Sequence, residues 1–386
     1  MTDEPRASRA AAEIARINAF FPIMPMLGNR WAASRPFENL TVGISAHITT
    51  LTGALVRELS LGGGSWVLCA ASGATTDHAV VALLRDSGIE VYTTGSREDY
   101  QQQVLDHHPQ LLVDVGANLI GTLIQRRPGQ VSEIMGAVEV TKSGVDRIAA
   151  LPSVDFPIIN INDGRLKYAI ENRRGVGEGL WHAVQALTGM HLSGRRVGVI
   201  GYGPVGQGVA TFAKALGAVV EVVEVDAIRR LVARYDGYQT PSLEECLGRA
   251  GMVVTCTGRS RIVTAEMLQK SREGLVLINA GHGGDEIDIP NIKASAVAVD
   301  QVADHVIRYR LEDGPTVVAL GDGHPLNIVI NAGSPEPVLL HFALMGLTLE
   351  WLTLQSEMAP GMRIVDPVIE QKAAELALEA HNVGHG

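Results

Sequence analysis

A glycine-rich turn between an apolar strand and a helix constrains the fold of this chain more than any other feature. The sequence predicts a strand over residues 197–200 and a helix over residues 207–216. Between them, Gly201, Gly203 and Gly206 have the spacing GxGxxG. Glycines at this spacing allow a tight turn and let a pyrophosphate approach the backbone at a helix N-terminus. The turn therefore predicts a Rossmann-type unit that binds a dinucleotide.

The residues around this turn indicate which dinucleotide is bound. Pro204 and Val205 lie within the predicted cofactor loop, and Glu224 ends the next predicted strand. A carboxylate at that position suits the ribose diol of NAD and would repel the 2′-phosphate of NADP. Arg229 and Arg230 would favour NADP if they faced the ribose, but we assign them to the solvated face of a helix. The sequence thus predicts NAD, with a glycine-rich turn that binds no cofactor as the alternative.

Apolar strands alternate with helices along the whole chain, and this βαβ rhythm predicts an α/β protein. We expect two doubly wound parallel-sheet domains, the second a Rossmann NAD-binding domain inserted into the first. The expected ranges are 1–165 completed by 336–362 for a substrate-binding domain, 166–335 for the Rossmann domain, and 363–386 for a C-terminal helix and short tail. The predicted strands cover residues 41–45, 66–70, 90–94, 111–115, 137–140, 197–200, 219–225, 252–257, 275–279, 296–299 and 316–320.

Composition excludes several classes of partner. With 32 Lys and Arg against 42 Asp and Glu, the net charge is −10, and aromatic residues make up only 4%. Such a chain is a poor candidate for binding nucleic acid. The longest apolar run, 338–352, contains His341 and Glu350 and is too short to span a membrane. Three cysteines without a CxxC pair indicate no metal site and no disulfide framework, and without a recognisable signal peptide we expect a cytoplasmic protein.

Four further motifs carry polar residues that can take part in chemistry. His282 follows a predicted strand in a glycine turn, a position where parallel sheets bind ligands. Lys167 and Glu171 are four residues apart, which places them on one face of an α-helix, and alone they would be an ordinary surface ion pair. The motifs are Ala46-His47-Ile-Thr49, Thr76-Asp-His78, Asn162-Asp-Gly-Arg-Leu-Lys167-Tyr-Ala-Ile-Glu171-Asn172, and Asn279-Ala-Gly-His282 followed by Glu286-Ile-Asp288.

In this order, and together with the glycine loop and Glu224, the motifs resemble those of the S-adenosylhomocysteine hydrolase family, from about residue 25 to residue 380. The resemblance implies a tightly bound NAD that oxidises the 3′-hydroxyl of a nucleoside and is regenerated in each turnover. The ketone would acidify the 4′ proton, whose loss expels the 5′ substituent before water adds and the ketone is reduced. The resemblance also implies a small-molecule nucleoside as substrate and a homo-oligomer, either a dimer or a tetramer.

The resemblance assigns five residues to catalysis. Lys167 would be the base for the 3′-hydroxyl, and Glu171 would pair with it or with the sugar hydroxyls. Asn172 would form a hydrogen bond near the nicotinamide. His47 would face the 5′ leaving group, and His282 would face the edge of the sugar.

Five further residues are implied as contacts of NAD. Thr141, Lys142 and Ser143 stand where the family has a threonine triplet over the nicotinamide. Asn327 corresponds to an asparagine that holds the carboxamide of that ring. Thr257 is expected beside the same cofactor.

The sequence departs from the family pattern at positions that would bind substrate. Thr49 is kept in the turn after His47, but Leu51 replaces a glutamate that would bind the purine amine. Ser334 replaces a histidine that would act as a gate. The C-terminal tail of the family, which would reach the cofactor of a neighbouring subunit, has no counterpart before Gly386.

Two of the departures remove carboxylates from the expected substrate site. Val115 replaces an aspartate that would serve proton transfer, and Val140 replaces a glutamate that would contact the sugar. In an alternative alignment, shifted by one residue, Asp114 and Glu139 would serve instead, although their side chains would point to the opposite face of each strand. Loss of several polar contacts, each worth about 2–5 kcal/mol, is not compatible with an unchanged substrate and reaction.

These departures favour a changed reaction as the first hypothesis. A nucleoside dehydratase would keep the oxidation and reduction but lose water from the 5′ position, as in angustmycin-type antibiotic pathways. His47 would then protonate the leaving hydroxyl, and the product would be an exocyclic alkene.

Three other hypotheses stay open. The second is a divergent S-adenosylhomocysteine hydrolase that forms adenosine and homocysteine. The third is a catalytically inactive NAD-binding regulatory protein, against which the joint retention of Lys167, Asn172, His47 and His282 argues. The fourth is a 2-hydroxy-acid dehydrogenase, which would have to release NADH.

Overall fold

The computed structural model describes residues 4–281, 285–355 and 357–383. The chain forms two compact units, the first comprising Met1–Tyr168 and Pro335–Gly386 and the second Ala169–Ser334. In the sequence, the second unit is therefore an insertion into the first. The last helix, which we expected as a separate C-terminal segment, packs against the helix that follows the insertion and belongs to the first unit.

Within the described ranges, strands and helices alternate along most of the chain. The strands are β1 (Thr41–Ala46), β2 (Ser65–Ala70), β3 (Glu90–Tyr92), β4 (Leu111–Asp114), β5 (Gly136–Glu139), β6 (Pro157–Asn160), β7 (Arg196–Ile200), β8 (Val219–Val223), β9 (Met252–Thr255), β10 (Leu275–Asn279), β11 (Ala296–Ala303), β12 (Val306–Leu311), β13 (Thr316–Leu320) and β14 (Gly361–Ile364). The α-helices are α1 (Glu4–Phe20), α2 (Ile23–Ser34), α3 (Thr50–Ser60), α4 (His78–Asp86), α5 (Arg97–Leu105), α6 (Asn118–Arg126), α7 (Lys142–Ala149), α8 (Val176–Thr188), α9 (Pro204–Ala215), α10 (Ala227–Tyr235), α11 (Leu243–Arg249), α12 (Ala265–Leu268), α13 (Ile289–Ala294), α14 (Leu326–Val329), α15 (Pro335–Thr353) and α16 (Pro367–Val383). A π-helix covers Lys167–Gly175, and short 3₁₀ turns cover Gly73–Thr75, Pro128–Glu133 and Gly321–Gly323.

The first unit is built on a seven-stranded sheet in the order β14-β6-β5-β4-β1-β2-β3. All the neighbouring strands are parallel, as predicted. Every residue of β4, β5 and β6 is buried, which explains the continuous apolar runs in the sequence. We did not predict β6 and β14, because each has only four residues and begins with Pro or Gly, which have low strand propensity.

Helix α15 crosses the core of the first unit and is apolar over most of its 19 residues. Its Glu350 accepts hydrogen bonds from the guanidinium of Arg30 at 2.5 Å and from Nε1 of Trp31 at 3.1 Å. These bonds fasten α15 to α2, the second helix of the chain. In the part of the chain that the structure describes, no helix has both the length and the apolar character needed to cross a membrane.

The second unit contains a seven-stranded sheet in the order β11-β12-β13-β10-β9-β7-β8. Its strands from β13 to β8 are parallel, which confirms the predicted Rossmann arrangement for this part. Strands β11, β12 and β13 instead form an antiparallel edge, so the sheet is mixed rather than wholly parallel. We did not predict β12, because Arg308 and Arg310 interrupt its apolar residues.

Helices α8 and α9 pack closely in the second unit because two glycines face each other. A Cβ added to Gly177 would lie 2.6 Å from the carbonyl carbon of Gly208, closer than any side chain permits. Helix α8 ends at Gly189, which has φ +63°, in agreement with the predicted end of the helical segment there. The close contact fixes α9, the helix that begins at the glycine loop.

Candidate active site and cofactor loop

The glycine loop follows β7 as predicted, and α9 begins at Pro204. Gly201 has φ +98°, a backbone conformation that residues with a side chain rarely adopt. A Cβ added to Gly206 would lie 2.0 Å from the carbonyl oxygen of Gly201. The turn can therefore close only with glycine at both positions.

One side of this loop is open at Gly203. A Cβ added there would have its nearest neighbour, Nη1 of Arg229, 3.7 Å away. The backbone N–H groups of Val205 and Gly206 lie in the first turn of α9, where the helix itself provides no acceptor. The open space at Gly203 and these two N–H donors together suit a pyrophosphate. Arg229 is exposed on α10 as expected, but its guanidinium lies beside the loop.

Glu224 follows β8 and lies beside the same loop. Its Oε2 accepts a hydrogen bond from the N–H of Tyr202 at 2.7 Å, and its Oε1 accepts one from the N–H of Asp226 at 2.9 Å. Each carboxylate oxygen can accept a further bond. The carboxylate is thus held in one orientation and fits the ribose diol for which we predicted it.

Glu286 organises the turns next to the loop, a role that we did not assign to it from the sequence. It is buried, and it accepts hydrogen bonds from Oγ1 and N–H of Thr257 at 2.7 and 2.9 Å and from the N–H of Gly258 at 2.8 Å. Burial raises the pKa of Glu286. Thr257, a predicted cofactor contact, therefore has its hydroxyl engaged by Glu286, while its methyl group borders Gly201. The Glu-Ile-Asp motif was the signal for this residue.

Asn327 on α14 carries a buried acceptor that no described residue satisfies. Its Oδ1 has no hydrogen-bond partner among the residues that the structure describes. An unsatisfied amide oxygen at this position fits the N–H donors of a carboxamide. The glycine loop, Glu224 and Asn327 thus all fit NAD.

Two other predicted site residues, His282 and Ser334, have fewer described contacts. His282 lies outside the described residues, so its role stays a prediction. The turn that leads to it is fixed, because Oδ1 of Asn279 accepts a hydrogen bond from the N–H of Gly281 at 2.8 Å. Ser334 ends the second unit, where its backbone nitrogen would lie 3.4 Å from a Cβ added to Gly179 on α8.

His47 follows β1 in a turn where hydrogen bonds fix both its ring and its backbone. The hydroxyl of Thr52 donates to the carbonyl of His47 at 2.6 Å, and Oγ1 of Thr75 lies 2.6 Å from its Nδ1. The same hydroxyl of Thr75 donates to the carbonyl of Ser72 at 3.2 Å, an atom that can only accept. We therefore assign the donor in the other bond to Nδ1, which leaves Nε2 as the basic nitrogen of the neutral ring.

The two turn motifs that we identified separately meet at this point. The N–H of Asp77 donates to the carbonyl of Ile48 at 2.8 Å, which ties the turn before α4 to the turn before α3. Thr49 is the N-cap of α3 and accepts from the N–H of Thr52 at 3.4 Å. Leu51 is buried in the first turn of the same helix.

Buried polar side chains form a row across the first sheet near its carboxyl edge. The strand register pairs Ser45 with Asp114, Asp114 with Glu139, and Glu139 with Asn160. Paired residues of parallel strands point to the same face of the sheet. All four residues are buried.

Glu139 and Asp114 hold the backbone of the neighbouring turns. Oε1 of Glu139 accepts hydrogen bonds from the N–H groups of Gly116 at 3.1 Å and Thr141 at 2.7 Å. Oδ2 of Asp114 accepts from the N–H of Ile120 at 2.8 Å, whereas its Oδ1 has no hydrogen-bond partner among the described residues. These bonds place both carboxylates inside the sheet and do not favour the shifted alignment, in which they would bind substrate.

The pKa values of this pair are raised. Burial raises the pKa of Asp114 to about 6, and burial together with the charge of Asp114 raises the pKa of Glu139 to about 8. Val115 and Val140 come directly after the two carboxylates and are themselves buried. The substrate positions that the resemblance assigns to carboxylates are therefore apolar.

The predicted triplet after β5 lies at the start of α7. Oγ1 of Thr141 donates to Oε1 of Glu139 at 2.7 Å and accepts from the N–H of Gly144 at 3.0 Å. The hydroxyl of Ser143 lies 3.2 Å from Oγ1 of Thr141. Lys142 forms an exposed ion pair with Asp146 at 2.8 Å. Thr141 is thus the cap of α7, and the cofactor contacts of the triplet stay predictions.

Lys167, Glu171 and Asn172 lie in a π-helix rather than in the α-helix that their spacing predicted. A π-helix has hydrogen bonds from residue i to i+5, which is the sequence spacing of Lys167 and Asn172. Such turns are rare and are often found at functional sites. Lys167 is only 5% exposed, and Asn172 is also buried.

The start of this π-helix is fixed by Glu370 of α16, another residue that we did not predict. Oε1 of Glu370 accepts a hydrogen bond from the N–H of Leu166 at 2.9 Å. A Cβ added to Gly164 would lie 2.8 Å from the same oxygen, so a larger residue there would displace this carboxylate. In the sequence, Glu370 looks like an ordinary acidic residue in the first turn of a helix.

Comparison with known proteins agrees with the motifs and the fold. Residues 172–333 match the family described as "S-adenosyl-L-homocysteine hydrolase, NAD binding domain". Over 374 residues the chain is 33% identical to S-inosyl-L-homocysteine hydrolase of Methanopyrus kandleri, covering 93% of this chain and 88% of the relative. It is 31% identical over 373 residues to adenosylhomocysteinase of Nostoc sp., covering 94% and 88%, and 30% identical over 377 residues to adenosylhomocysteinase of Pyrococcus abyssi, covering 95% and 89%. The chain belongs to the S-adenosyl-L-homocysteine hydrolase family.

The second unit is the NAD-binding domain of this S-adenosyl-L-homocysteine hydrolase family member, and NAD is its cofactor. Both the resemblance and the NAD prediction from the glycine loop and Glu224 are thereby confirmed. The roles of individual residues in binding and catalysis stay predictions.

Proposed function

We propose that the protein is an NAD-dependent, redox-neutral enzyme that acts on a nucleoside. The observation that carries the proposal is the buried Lys167 at the first position of a π-helix, in a chain of this family. Burying a lysine costs free energy, and π-helical turns concentrate at functional sites. A purely structural lysine has no need of this position.

In the proposed reaction Lys167 takes the proton of the 3′-hydroxyl as a hydride leaves the 3′ carbon. The glycine loop and Glu224 would hold NAD, which would supply the acceptor of this hydride and its donor at the end of the cycle. Glu171 orients Lys167 or binds the sugar hydroxyls. Asn172, buried on the same helix, would hold the nicotinamide end of the cofactor.

The 3′ ketone acidifies the proton on the 4′ carbon, and the loss of this proton expels the 5′ substituent. We assign His47 as the general acid that protonates the leaving group. Its Nδ1 is bonded to Thr75, so Nε2, the basic nitrogen of the neutral ring, takes up the proton lost from the 4′ carbon and passes it to the leaving group. The fixed turn after β1 keeps the ring in one orientation.

We further propose that the leaving group is water and that the product is a nucleoside with an exocyclic alkene at the 4′ carbon. Val115 and Val140 support this outcome, because they are apolar where the hydrolases of the family would have carboxylates. Glu139 does not replace them, since both of its carboxylate oxygens accept hydrogen bonds from backbone N–H groups inside the sheet. Asp114 is buried and bonded to the N–H of Ile120. Fewer polar groups at the alkene disfavour the addition of a second nucleophile.

A hydrolase is the second candidate, and the names of the relatives favour it. The relative from Methanopyrus kandleri is named for S-inosyl-L-homocysteine, and the others are adenosylhomocysteinases. Leu51 has no acceptor for the amine of an adenine ring. An inosyl group has no such amine, so it does not need an acceptor at this position. S-inosylhomocysteine is therefore as important a test substrate as S-adenosylhomocysteine.

The experiment that tests the proposal incubates the NAD-loaded protein separately with adenosine, inosine and the two homocysteine conjugates. Released thiol measures hydrolysis, and mass spectrometry of the nucleoside measures the loss of one water. Water loss without thiol release is the expected result. Thiol release at about 1 s⁻¹ or faster would replace the dehydratase by the hydrolase. No change in any of the four compounds would contradict the proposed function and support the inactive NAD-binding protein.

A further inference from the structure

His341 on α15 is a buried histidine for which the proposed mechanism gives no use. Its side chain is in the core of the first unit, and the residue is 6% exposed. Both ring nitrogens, Nδ1 and Nε2, are buried and have no hydrogen-bond partner within the described ranges. The ring packs edge-on against Phe342 at a centroid distance of 4.6 Å, so its neighbour on the helix is apolar.

Two unsatisfied nitrogens in one buried ring are costly for the folded protein. A buried donor or acceptor without a partner loses the hydrogen bonds that it makes with water in the unfolded chain. A leucine or methionine of similar size would avoid this loss. Buried polar groups without a partner therefore need an explanation, and one explanation is a ligand that pairs with them.

The charge state of the ring limits the ligand. Burial and the nearby charge of Lys167 lower the pKa of His341 well below its usual value, so the ring is neutral at physiological pH. A neutral imidazole offers one N–H donor and one acceptor nitrogen. It suits an uncharged group that has both an acceptor and a donor, and it offers no positive charge to a carboxylate or a phosphate.

The position of His341 points to the same substrate as that of Lys167. Both residues belong to the first unit, and Lys167 is close enough for its charge to act on the ring. Helix α15 also packs against α3, which carries Leu51 in its first turn. Leu51 is the position where the sequence lacks the expected contact to the base.

We propose that His341 is a substrate-binding residue that supplies one hydrogen-bond donor and one acceptor to an uncharged polar edge of the nucleoside. The inference rests on the proposed function and adds a specificity-determining contact to it. A purine ring with a 6-substituent and the vicinal hydroxyls of the sugar both have the required donor and acceptor chemistry. Comparison of adenosine, inosine and purine riboside decides which of them pairs with His341.

The test compares His341→Leu with the wild type, both loaded with NAD. Adenosine, inosine and purine riboside, which lacks a 6-substituent, are titrated by calorimetry. We expect the variant to bind adenosine or inosine about 5- to 100-fold more weakly, because the pairing is lost. Its NAD content should be unchanged, and its melting temperature without nucleoside should rise, because two unsatisfied nitrogens have been removed.

Further variants and probes separate the outcomes. His341→Gln restores one donor and one acceptor and should recover part of the affinity, whereas the exposed His182→Leu should change nothing. If purine riboside binds equally to the wild type and His341→Leu, the contact is to the base; if it also loses affinity, the contact is to the sugar. Equal binding of all three nucleosides to both proteins would overturn the inference. A wild type that binds none of them would instead contradict the proposed function.

Discussion

Gly206 and the carbonyl of Gly201 approach each other so closely that one added methyl group tests the cofactor loop. In Gly206→Ala the Cβ would lie 2.0 Å from the carbonyl oxygen, so the turn cannot close. We expect the purified variant to contain no NAD and to bind added NAD at least about 100-fold more weakly, a change of roughly 3 kcal/mol. NAD content is measured after denaturation, by absorbance.

A second glycine provides the control for this change. Gly248 lies in α11 of the same unit, and a Cβ added there would have its nearest neighbour at 3.8 Å. Gly248→Ala should keep NAD and gain about 0.5–1 kcal/mol of stability, because alanine favours the helix. Normal NAD binding by Gly206→Ala would show that the cofactor does not use this loop.

Lys167 gives the residue-scale prediction for catalysis. Lys167→Met keeps the length of the side chain but removes the base, so turnover of the nucleoside should fall by about 10²- to 10⁴-fold. NAD content should be unchanged. The rate is measured by product formation under saturating substrate. Lys270→Met is the control, because Lys270 forms an exposed ion pair with Glu244 at 3.1 Å; equal rates for the two variants would argue against Lys167 as the base.

Residues in contiguous motifs could be predicted from the sequence, whereas residues that act across the fold could not. Lys167 and Glu224 were assigned because their neighbours in the sequence matched a known pattern. Glu370 is 204 positions from its partner Leu166, and no local pattern connects them. His341 was noted only as an interruption of an apolar run. Its burial and its proximity to Lys167 depend on how α15 packs.

At the scale of elements, the π-helix depends on its anchor in α16. Glu370→Ala removes the acceptor of the Leu166 N–H, and we expect amide exchange at the start of the π-helix to speed up and the turnover number to fall several-fold. The loss of one such bond costs about 1–3 kcal/mol. Glu370→Gln keeps an acceptor and should restore most of the activity.

The control for this variant lies on the same helix. Glu375 is exposed and accepts a hydrogen bond only from Gln371 within α16 among the bonds of the described residues. Glu375→Ala should leave exchange and turnover unchanged. Unaltered exchange in Glu370→Ala, measured by mass spectrometry, would show that the π-helix does not need this anchor.

The carboxylate row of the first sheet predicts a dependence of stability on pH. Folding raises the pKa of Asp114 to about 6 and that of Glu139 to about 8, above the value of about 4 in an unfolded chain. Their contribution to stability is therefore complete below about pH 4 and is lost as the pH rises through 6 and 8. Urea unfolding between pH 5 and 9 measures this loss.

The variant Asp114→Asn separates the titration of this carboxylate pair from that of other ionisable groups. Removing the charge of Asp114 removes one titration and lowers the pKa of Glu139, so stability should fall less between pH 6 and 8 than in the wild type. Asn keeps a carbonyl oxygen for the N–H of Ile120. The same slope in both proteins would mean that the pair does not titrate as described.

At the scale of the whole molecule, the two α/β units and the inserted order could be predicted because apolar runs and turns are local signals. The antiparallel edge β11-β12-β13 could not, since strand direction is set by pairing and not by periodicity. The π-helix was also missed, because the apolar and polar spacing of Lys167–Gly175 suits an α-helix equally well.

The family resemblance predicts a homo-oligomer, and the oligomeric state can be measured directly. We expect a dimer or a tetramer. Light scattering of the NAD-loaded protein should give two or four times the mass of one chain. A mass of one chain over a range of concentrations would contradict this expectation.

The central claim is that the enzyme oxidises a nucleoside at the 3′ carbon for the sake of chemistry at the 4′ and 5′ carbons. Deuterium exchange at the 4′ carbon tests it most directly. The NAD-loaded protein is incubated with adenosine and with inosine in D₂O, and the recovered nucleosides and products are analysed by mass spectrometry and NMR. The account predicts deuterium at the 4′ carbon without accumulation of free NADH, and no exchange with Lys167→Met. Stoichiometric release of NADH with an oxidised product, or no exchange with either nucleoside, would contradict it.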